Sequence, residues 1–568
     1  MTESAEKTIL GHPRGLVILF LTEMWERFSY YGMRGLLIIY LTQHFLMSDE
    51  SSSVLYGAYG ALVYVMTIIG GSLADRYLGA RKAVTFGAIL LTFGHFGMAF
   101  EGEGSRQLIT HGDKQYEIVL DGRGGDARQQ IVTDLGASYV SFTETSMAIA
   151  EPEAVGLASS IERSEFTISV ETEEKYLNIL YLSLALIIAG VGFLKANIST
   201  IVGSLYGFGD TRRDSGFTIF YMGINIGAFL ASLSCGYLGI VYGWKYGFGL
   251  AGVGMLLGLV IFLSCQSWLD GKAEPPNADR LKEKVLFGIN IEWLCYSVGL
   301  GIIALSMLLV MNADLVGGIL GPVGILMFIW LVSHTFTQLQ GDERSRMLAA
   351  IYFVLAQIPF WALFEQAGSS LNLFTARLVD REIMGWSVPG PVFQSLNAGF
   401  IFVFAPFMAW LWVWLARRQL NPSTPVKFAL GVAMAGLGFL VLVAGMQGAG
   451  AVGLTPVIFI FLIYWIHTMG ELMVSPVGLS AVTKLAPAKI VGMTMGAWFL
   501  YSGLSNYLAG VIARTTGAET IGGQMTNVAA AKAGYVDVYS QVGYIALGIS
   551  LLMLLISPVI NKMMRGAD

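Results

Sequence analysis

The sequence predicts an all-α membrane protein of about fourteen transmembrane helices, and three observations carry that prediction. The 568 residues are 55% hydrophobic and only 13% charged, with a mean hydropathy of +0.64. A soluble chain of this length needs far more charge to cover its surface. The apolar residues fall in blocks of about 20 or more, separated by short polar stretches, which is the length a bilayer core demands. Lysine and arginine in those short stretches recur on one side of the predicted membrane. The lipid bilayer is therefore the first partner. Nucleic acid is excluded, because no basic patch with interleaved aromatics occurs.

The predicted spans are 15–46, 53–77, 82–100, 176–202, 214–238, 244–268, 285–310, 313–336, 346–376, 390–417, 424–446, 454–484, 488–514 and 537–562. The first carries Glu23, Glu26 and Arg27, which no cleavable signal peptide tolerates, so it reads as a retained helix. Arg76, Arg81 and Lys82 follow the second span, and Arg212 and Arg213 the fourth. Lys272, Arg280, Lys282 and Lys284 follow the sixth, Arg344 and Arg346 the eighth, and Arg417 and Arg418 the tenth. Lys562 and Arg565 lie in the C-terminal tail. All of these fall on one side if both termini are cytoplasmic, with Arg377 and Arg381 as minor exceptions outside.

Residues 101–175 interrupt the helical rhythm and fall on the opposite, periplasmic side. Gln115–Leu120 and Phe166–Glu171 alternate apolar and polar side chains, as half-buried strands do. Gly122, Gly124 and Gly125 read as turn residues. A small β-rich insertion is expected, with a disordered loop as the alternative.

Several groups invite a chemical reading. Cys235, Cys265 and Cys295 lie in apolar runs without CxxC spacing and read as spectator thiols. The six histidines are scattered and build neither a metal cluster nor a nucleophile–base pair, so no metal, no cofactor and no enzymatic activity is expected. The first span is different. Glu23, Glu26, Arg27, Tyr30, Tyr31 and Arg34 share one helical face. Each charge at a helix centre costs about 2.5–3.5 kcal/mol, so the stripe sums to roughly 10 kcal/mol before pairing. It must face a polar interior. The mixed signs point to exchangeable salt bridges, or to a structural ion-pair knot.

The run Glu23-Met-Trp-Glu26-Arg27-Phe28-Ser-Tyr30-Tyr31-Gly32 resembles the ExxERFxYYG motif of the proton-dependent oligopeptide transporter family. Phe220-Tyr221-Met-Gly-Ile-Asn225-Ile-Gly227 resembles a second signature of that family. Gly71-Ser-Leu-Ala-Asp75-Arg76-Tyr-Leu-Gly79-Ala-Arg81-Lys82 is similar to the cytoplasmic loop motif of the major facilitator superfamily. The resemblance, to bacterial members, covers the whole chain except the insertion. It implies the major facilitator fold: two six-helix bundles with two extra helices between them. The division is then 1–100 for three helices, 101–175 for the insertion, and 176–268 for the rest of the N-terminal bundle. Residues 269–340 form the linker with the two extra helices, and 341–568 the C-terminal bundle.

The resemblance implies roles for embedded residues. Proton coupling falls to Glu23, Glu26, Arg27, Lys195 and Glu365. Lys195 would pair with the Glu23/Glu26/Arg27 cluster, or else snorkel to the interface. Glu365 would face Arg34 across the two halves, or else be a solvated helix-end carboxylate. Glu471 would sit at the amino group of a peptide. His467 lies four residues before it on the same face, a weak metal pair and more plausibly a packing residue that tunes Glu471. Substrate contact falls to Tyr30, Tyr31, Arg34, Tyr64, Lys195, Asn225, Asn397, Glu471, Ser475, Trp498 and Ser502. Pro476 and Gly478 suggest a kink. The chain departs from the family at Ala196 and Ala398, where proline is usual, and at Gly57, where animal members carry histidine.

The implied function is a proton-coupled symporter that imports di- and tripeptides across the bacterial inner membrane by alternating access. One proton crossing 100 mV supplies about 2.3 kcal/mol, enough for roughly fifty-fold accumulation of a neutral solute. The rivals are the same fold carrying nitrate, a modified amino acid or a drug-like compound, and a non-transporting membrane sensor.

Overall fold

The computed structural model describes residues 8–122, 128–143, 145–207, 209–286 and 288–564. Gly124, Gly125 and Arg565, named above, lie outside the described residues. Among these, fourteen helices have 20 residues or more. They are α1 (Gly15–Gln43), α2 (Asp49–Leu78), α3 (Ala80–Ala99), α4 (Glu174–Ser204), α5 (Arg213–Val241), α6 (Trp244–Ser264) and α7 (Ile291–Met311). The second seven are α8 (Ala313–Gln338), α9 (Gly341–Leu378), α10 (Gly390–Arg417), α11 (Thr424–Gly448), α12 (Ile458–Leu485), α13 (Val491–Thr515) and α14 (Val528–Met564). Twelve are long and apolar enough to cross a membrane. The other two, α1 and α13, are long enough but polar on the faces they turn inward: Glu23, Glu26 and Arg27 on one, Ser502, Ser505 and Asn506 on the other are all buried.

Helices α1–α6 surround one hydrophobic core and α9–α14 another. Residues with small or no side chains set the closest approaches. A side chain at Gly190 would strike Leu91 and the Gly87 carbonyl, so α3 and α4 lie backbone against backbone. Gly57 and Gly510 bring α2 and α13 together across the two halves. Helix α7 rests on the first half, where Gly299 meets Phe86 and Phe193. Helix α8 rests on α13, where the Tyr501 hydroxyl donates to the Gly324 carbonyl at 2.8 Å. Leu300, Leu308, Ile325 and Leu326 of these two helices remain exposed, as lipid-facing residues must.

The insertion between α3 and α4 is β-rich. It holds seven strands: β1 (Arg106–His111), β2 (Lys114–Asp121), β3 (Arg128–Thr133), β4 (Gly136–Phe142), β5 (Ser146–Ile149), β6 (Ser160–Glu162) and β7 (Phe166–Glu171). They form one antiparallel sheet in the order β6-β5-β4-β3-β2-β1-β7. The edge strands β6 and β7 are joined by only Arg163–Glu165, which curls the sheet toward a closed barrel. Ile109, Ile118, Ile131, Met147, Ile161 and Phe166 fill its interior. Gly122 adopts φ 90°, as the turn reading required. Helix α14 starts at Val528, nine residues earlier than its apolar run suggests, because Lys532 is buried and donates to the carbonyls of Gly450 and Gly453 at 2.7 and 2.6 Å.

A leucine at Gly87 would meet the Gly190 carbonyl and the Leu194 main chain, whereas Gly318 on α8 faces open space. Gly87→Leu is expected to cost about 1–3 kcal/mol and lower the melting temperature, with Gly318→Leu near wild type. Equal melting of the two variants would contradict the α3–α4 packing.

Candidate functional site

The charged face of α1 opens onto a cavity of about 320 Å³ between the two halves, near the small end of the roughly 300–1,000 Å³ range of ligand pockets. Glu23, Arg27, Tyr30, Tyr31 and Arg34 line it, and Glu26 packs behind them, fully buried. Arg27 donates to both carboxylate oxygens of Glu26 through Nε and Nη2. Glu23 Oε1 is 3.6 Å from Arg27 Nε, and Glu23 Oε2 has no hydrogen-bond partner among the described residues. The Arg27 guanidinium lies 4.7 Å from the centroid of the Tyr30 ring, a cation–π contact. The glycine of the α5 signature explains itself here: a side chain at Gly227 would collide with the Met24 carbonyl and with Arg27 Cβ.

One end of the cavity is closed. Arg34 donates from Nη2 to Glu365 and from Nε to the Tyr56 hydroxyl at 2.8 Å. Helix α9 changes from α to 3-10 geometry at Glu365–Gly368, which places Glu365 at the break. Asn372 and Gln394 donate to the Gly35 carbonyl at 2.8 and 3.4 Å. Beyond them Arg377 grips Asp49 through two bonds of 2.6 and 3.0 Å. All of these ties join the first half to the second on the side that bears the β insertion. At the other end Tyr221 and Leu479, which also line the cavity, stay 43% and 42% exposed. The cavity is thus open toward the face where α1 begins and α14 ends.

The remaining predicted residues, Tyr64, Lys195, Asn225, Asn397, Glu471, Ser475, Trp498 and Ser502, line the same cavity, as does Glu365. Lys195 interacts through space with Glu23 of the expected cluster, but not by a salt bridge. Its Nζ stands 4.5 Å from the centroid of the Tyr64 ring, and no carboxylate among the described residues comes within salt-bridge reach. Arg27 already holds Glu26, so nothing is left there for Lys195 but the neighbourhood of Glu23. With Ala196 in place of proline, α4 runs without a break from Glu174 to Ser204. Glu471 accepts from Asn397 Nδ2 at 2.8 Å and likewise has no cation within reach among the described residues. His467 does not tune it. The histidine is buried against Phe439 and its Nε2 meets the Ala435 carbonyl at 3.0 Å, so it is a packing residue. Gly57 leaves no room for a histidine, since the backbone of Gly510 lies where a side chain would begin. Among the described residues no cluster of metal ligands occurs.

The lining also includes Tyr221, which the second signature contains, and Gln394, Tyr464 and Asn506, which sequence reading did not single out. Two had a signal. Tyr464, Thr468, Glu471 and Ser475 share one face of α12, and Trp498, Ser502 and Asn506 share one face of α13. Gln394 had none, because it lies in the 3-10 turn that opens α10.

The geometry separates the two acids of α1. Removing the charge of Glu26 frees a buried arginine from two bonds, whereas removing that of Glu23 loses one long contact. Glu26→Gln is therefore expected to lower stability by about 3–5 kcal/mol and Glu23→Gln by about 1 kcal/mol or less, read as melting temperatures of the purified protein. Coincident melting curves would mean that Arg27 does not depend on Glu26.

Comparison with known proteins places these features in a family. The POT family profile matches residues 81–528. The chain is 34% identical to the uncharacterized transporter YclF of Bacillus subtilis, over 99% of this chain and 97% of that one. It is 31% identical to the peptide transporter YePEPT of Yersinia enterocolitica, over 89% and 88%. Its structure resembles the crystal structure of a mutant peptide transporter POT in complex with alafosfalin, with a TM-score of 0.74, 32% identity and coverage of 99% and 98%.

Proposed function

The chain belongs to the POT family, and from that premise we propose that it is a proton-coupled symporter that brings di- and tripeptides through the bacterial inner membrane by alternating access. The observation that carries the proposal is a pair of charges. Once Arg27 holds Glu26 and Arg34 holds Glu365, two lining ions are left without a salt bridge among the described residues: Lys195 on α4 and Glu471 on α12. They have opposite signs and sit on opposite halves. A zwitterion a few residues long matches that arrangement, its carboxylate toward Lys195 and its ammonium toward Glu471. An anion such as nitrate would meet an uncompensated Glu471. The peptide transporters among the relatives support the same reading.

Direction follows from charge. The positive-inside bias of the loops with Arg81, Lys82, Arg212, Arg213, Arg344, Arg346, Arg417 and Arg418 supports a cytoplasmic assignment for the face toward which the cavity opens. On that assignment the cavity opens inward, and the Arg34–Glu365 and Arg377–Asp49 bonds are the outer seal. Protonation exchanges partners. A proton on Glu365 releases Arg34 and loosens the seal. A proton on Glu23 removes its 3.6 Å contact and leaves Arg27 and Lys195 freer to face the carboxylate of a peptide. Glu23 is the acid of α1 with the fewest contacts to lose, so it is the first proton acceptor there. Tyr30, Tyr31, Tyr64, Asn225, Asn397, Ser475, Trp498 and Ser502 complete the peptide-binding surface.

Glu471→Gln keeps the shape and the Asn397 contact but removes the charge. A partly desolvated ammonium–carboxylate contact contributes about 1.5–3 kcal/mol, roughly ten- to a hundred-fold in affinity. In competition binding, wild type is expected to prefer dialanine to N-acetyl dialanine by that factor, and the variant to bind both weakly and alike. Equal competition by the two compounds in wild type would remove Glu471 from the amino end and favour a non-peptide solute.

A further inference from the structure

Alternate residues of β1 and β3 point into the barrel of the insertion, and Ile109 and Ile131 do so as apolar residues should. The next inward positions toward the membrane-attached end hold Gln107 and Gln129, both buried. A buried amide needs partners. These two find theirs outside the barrel. Gln129 Nε2 donates to the Ile521 carbonyl, and the Gly522 amide donates to Gln107 Oε1. Ile521 and Gly522 belong to a small hairpin, Thr520–Ile521 paired with Gln524–Met525, that connects α13 to α14 in the second half. Its turn, Gly522–Gly523, has φ +53° and +74°, values that a two-residue glycine turn adopts without strain.

The insertion itself is tied to the first half. The Ser105 amide donates to the His44 carbonyl at 2.8 Å, and His44 Nε2 lies 3.1 Å from the Glu101 carbonyl. The glutamine contacts therefore cross from one half to the other, on the same side of the molecule as the Arg34–Glu365 and Arg377–Asp49 ties. We propose that the insertion is a clasp: Gln107 and Gln129 grip the hairpin of the opposite half and favour the state in which the outer face is closed. This rests on the alternating-access reading, because separating the halves on that face must pull the hairpin out of the barrel end. The glutamines then exchange main-chain partners for water, so the clasp biases the equilibrium without locking it.

The test uses the full chain with Cys235, Cys265 and Cys295 replaced by alanine and spin labels at positions 51 and 382, exposed sites on the outer ends of the two halves. Distances are read by pulsed electron spin resonance in lipid nanodiscs, without peptide. Wild type is expected to show mainly the short, closed distance. The double variant Gln107→Leu/Gln129→Leu is expected to raise the open-to-closed ratio roughly tenfold, and each single variant roughly threefold. The single variants give the same reading if the double variant is not monodisperse. A chain with residues 106–171 replaced by a short Gly–Ser link is expected to shift at least as far. Distances in the glutamine variants that superimpose on wild type overturn the clasp, whatever the deletion does. A chain that shifts as stated but binds no dialanine leaves the clasp standing and removes the peptide reading.

Discussion

The bond between Arg34 and Glu365 joins a helix of the first half to a helix of the second, and the form of the cavity depends on it. Alone in a membrane helix each charge would cost about 2.5–3.5 kcal/mol. Together they satisfy each other only when the two halves meet on the outer side. Closing that side leaves the other end of the cavity open, with Tyr221 and Leu479 still exposed. The break in α9 at Glu365–Gly368 lets the acid reach inward, and Gly368 leaves space for the Tyr56 hydroxyl that also holds Arg34.

The other embedded charges follow the same rule with different outcomes. Arg27 and Glu26 form a two-bond pair that is fully buried, a fixed support for α1. Glu23 shares Arg27 at longer range. Among the described residues Lys195 and Glu471 make no salt bridge; Lys195 stands over Tyr64, and Glu471 accepts from Asn397. A transporter gains from this unequal sharing. Ions without partners are the ones a substrate can satisfy, and acids with few contacts are the ones a proton can neutralise at least structural cost. In the proposed mechanism the fixed pair keeps the frame, the bridge sets which side is closed, and Lys195 and Glu471 receive the two ends of a zwitterion.

Much of this was legible in the sequence, for identifiable reasons. Helical periodicity placed Glu23, Arg27, Tyr30 and Arg34 on one face, and the membrane cost obliged that face to be interior. Tyr464 and Asn506 lay on the same kind of stripe as Glu471 and Trp498 and were recoverable by the same spacing. Other features had no local signal. That Lys195 meets Tyr64 and not a carboxylate depends on Arg27 having claimed Glu26, which only the packed helices decide. Hydropathy understated α1 and α13 because their polar faces are buried in the molecule. The strands of the insertion alternate as strands should, but β6 is three residues long and is set by its neighbours. Gln107 and Gln129 look like surface residues until the hairpin that covers them is in place.

The central claim is that the cavity couples the entry of a peptide to the entry of a proton. The most direct measurement follows labelled dialanine into proteoliposomes containing the purified protein, below saturation, under an inside-negative potential with acid outside. Peptide is expected to accumulate above the external concentration, and the accumulation to collapse when a protonophore is added. Uptake that reaches the same level with and without the gradient would contradict the claim.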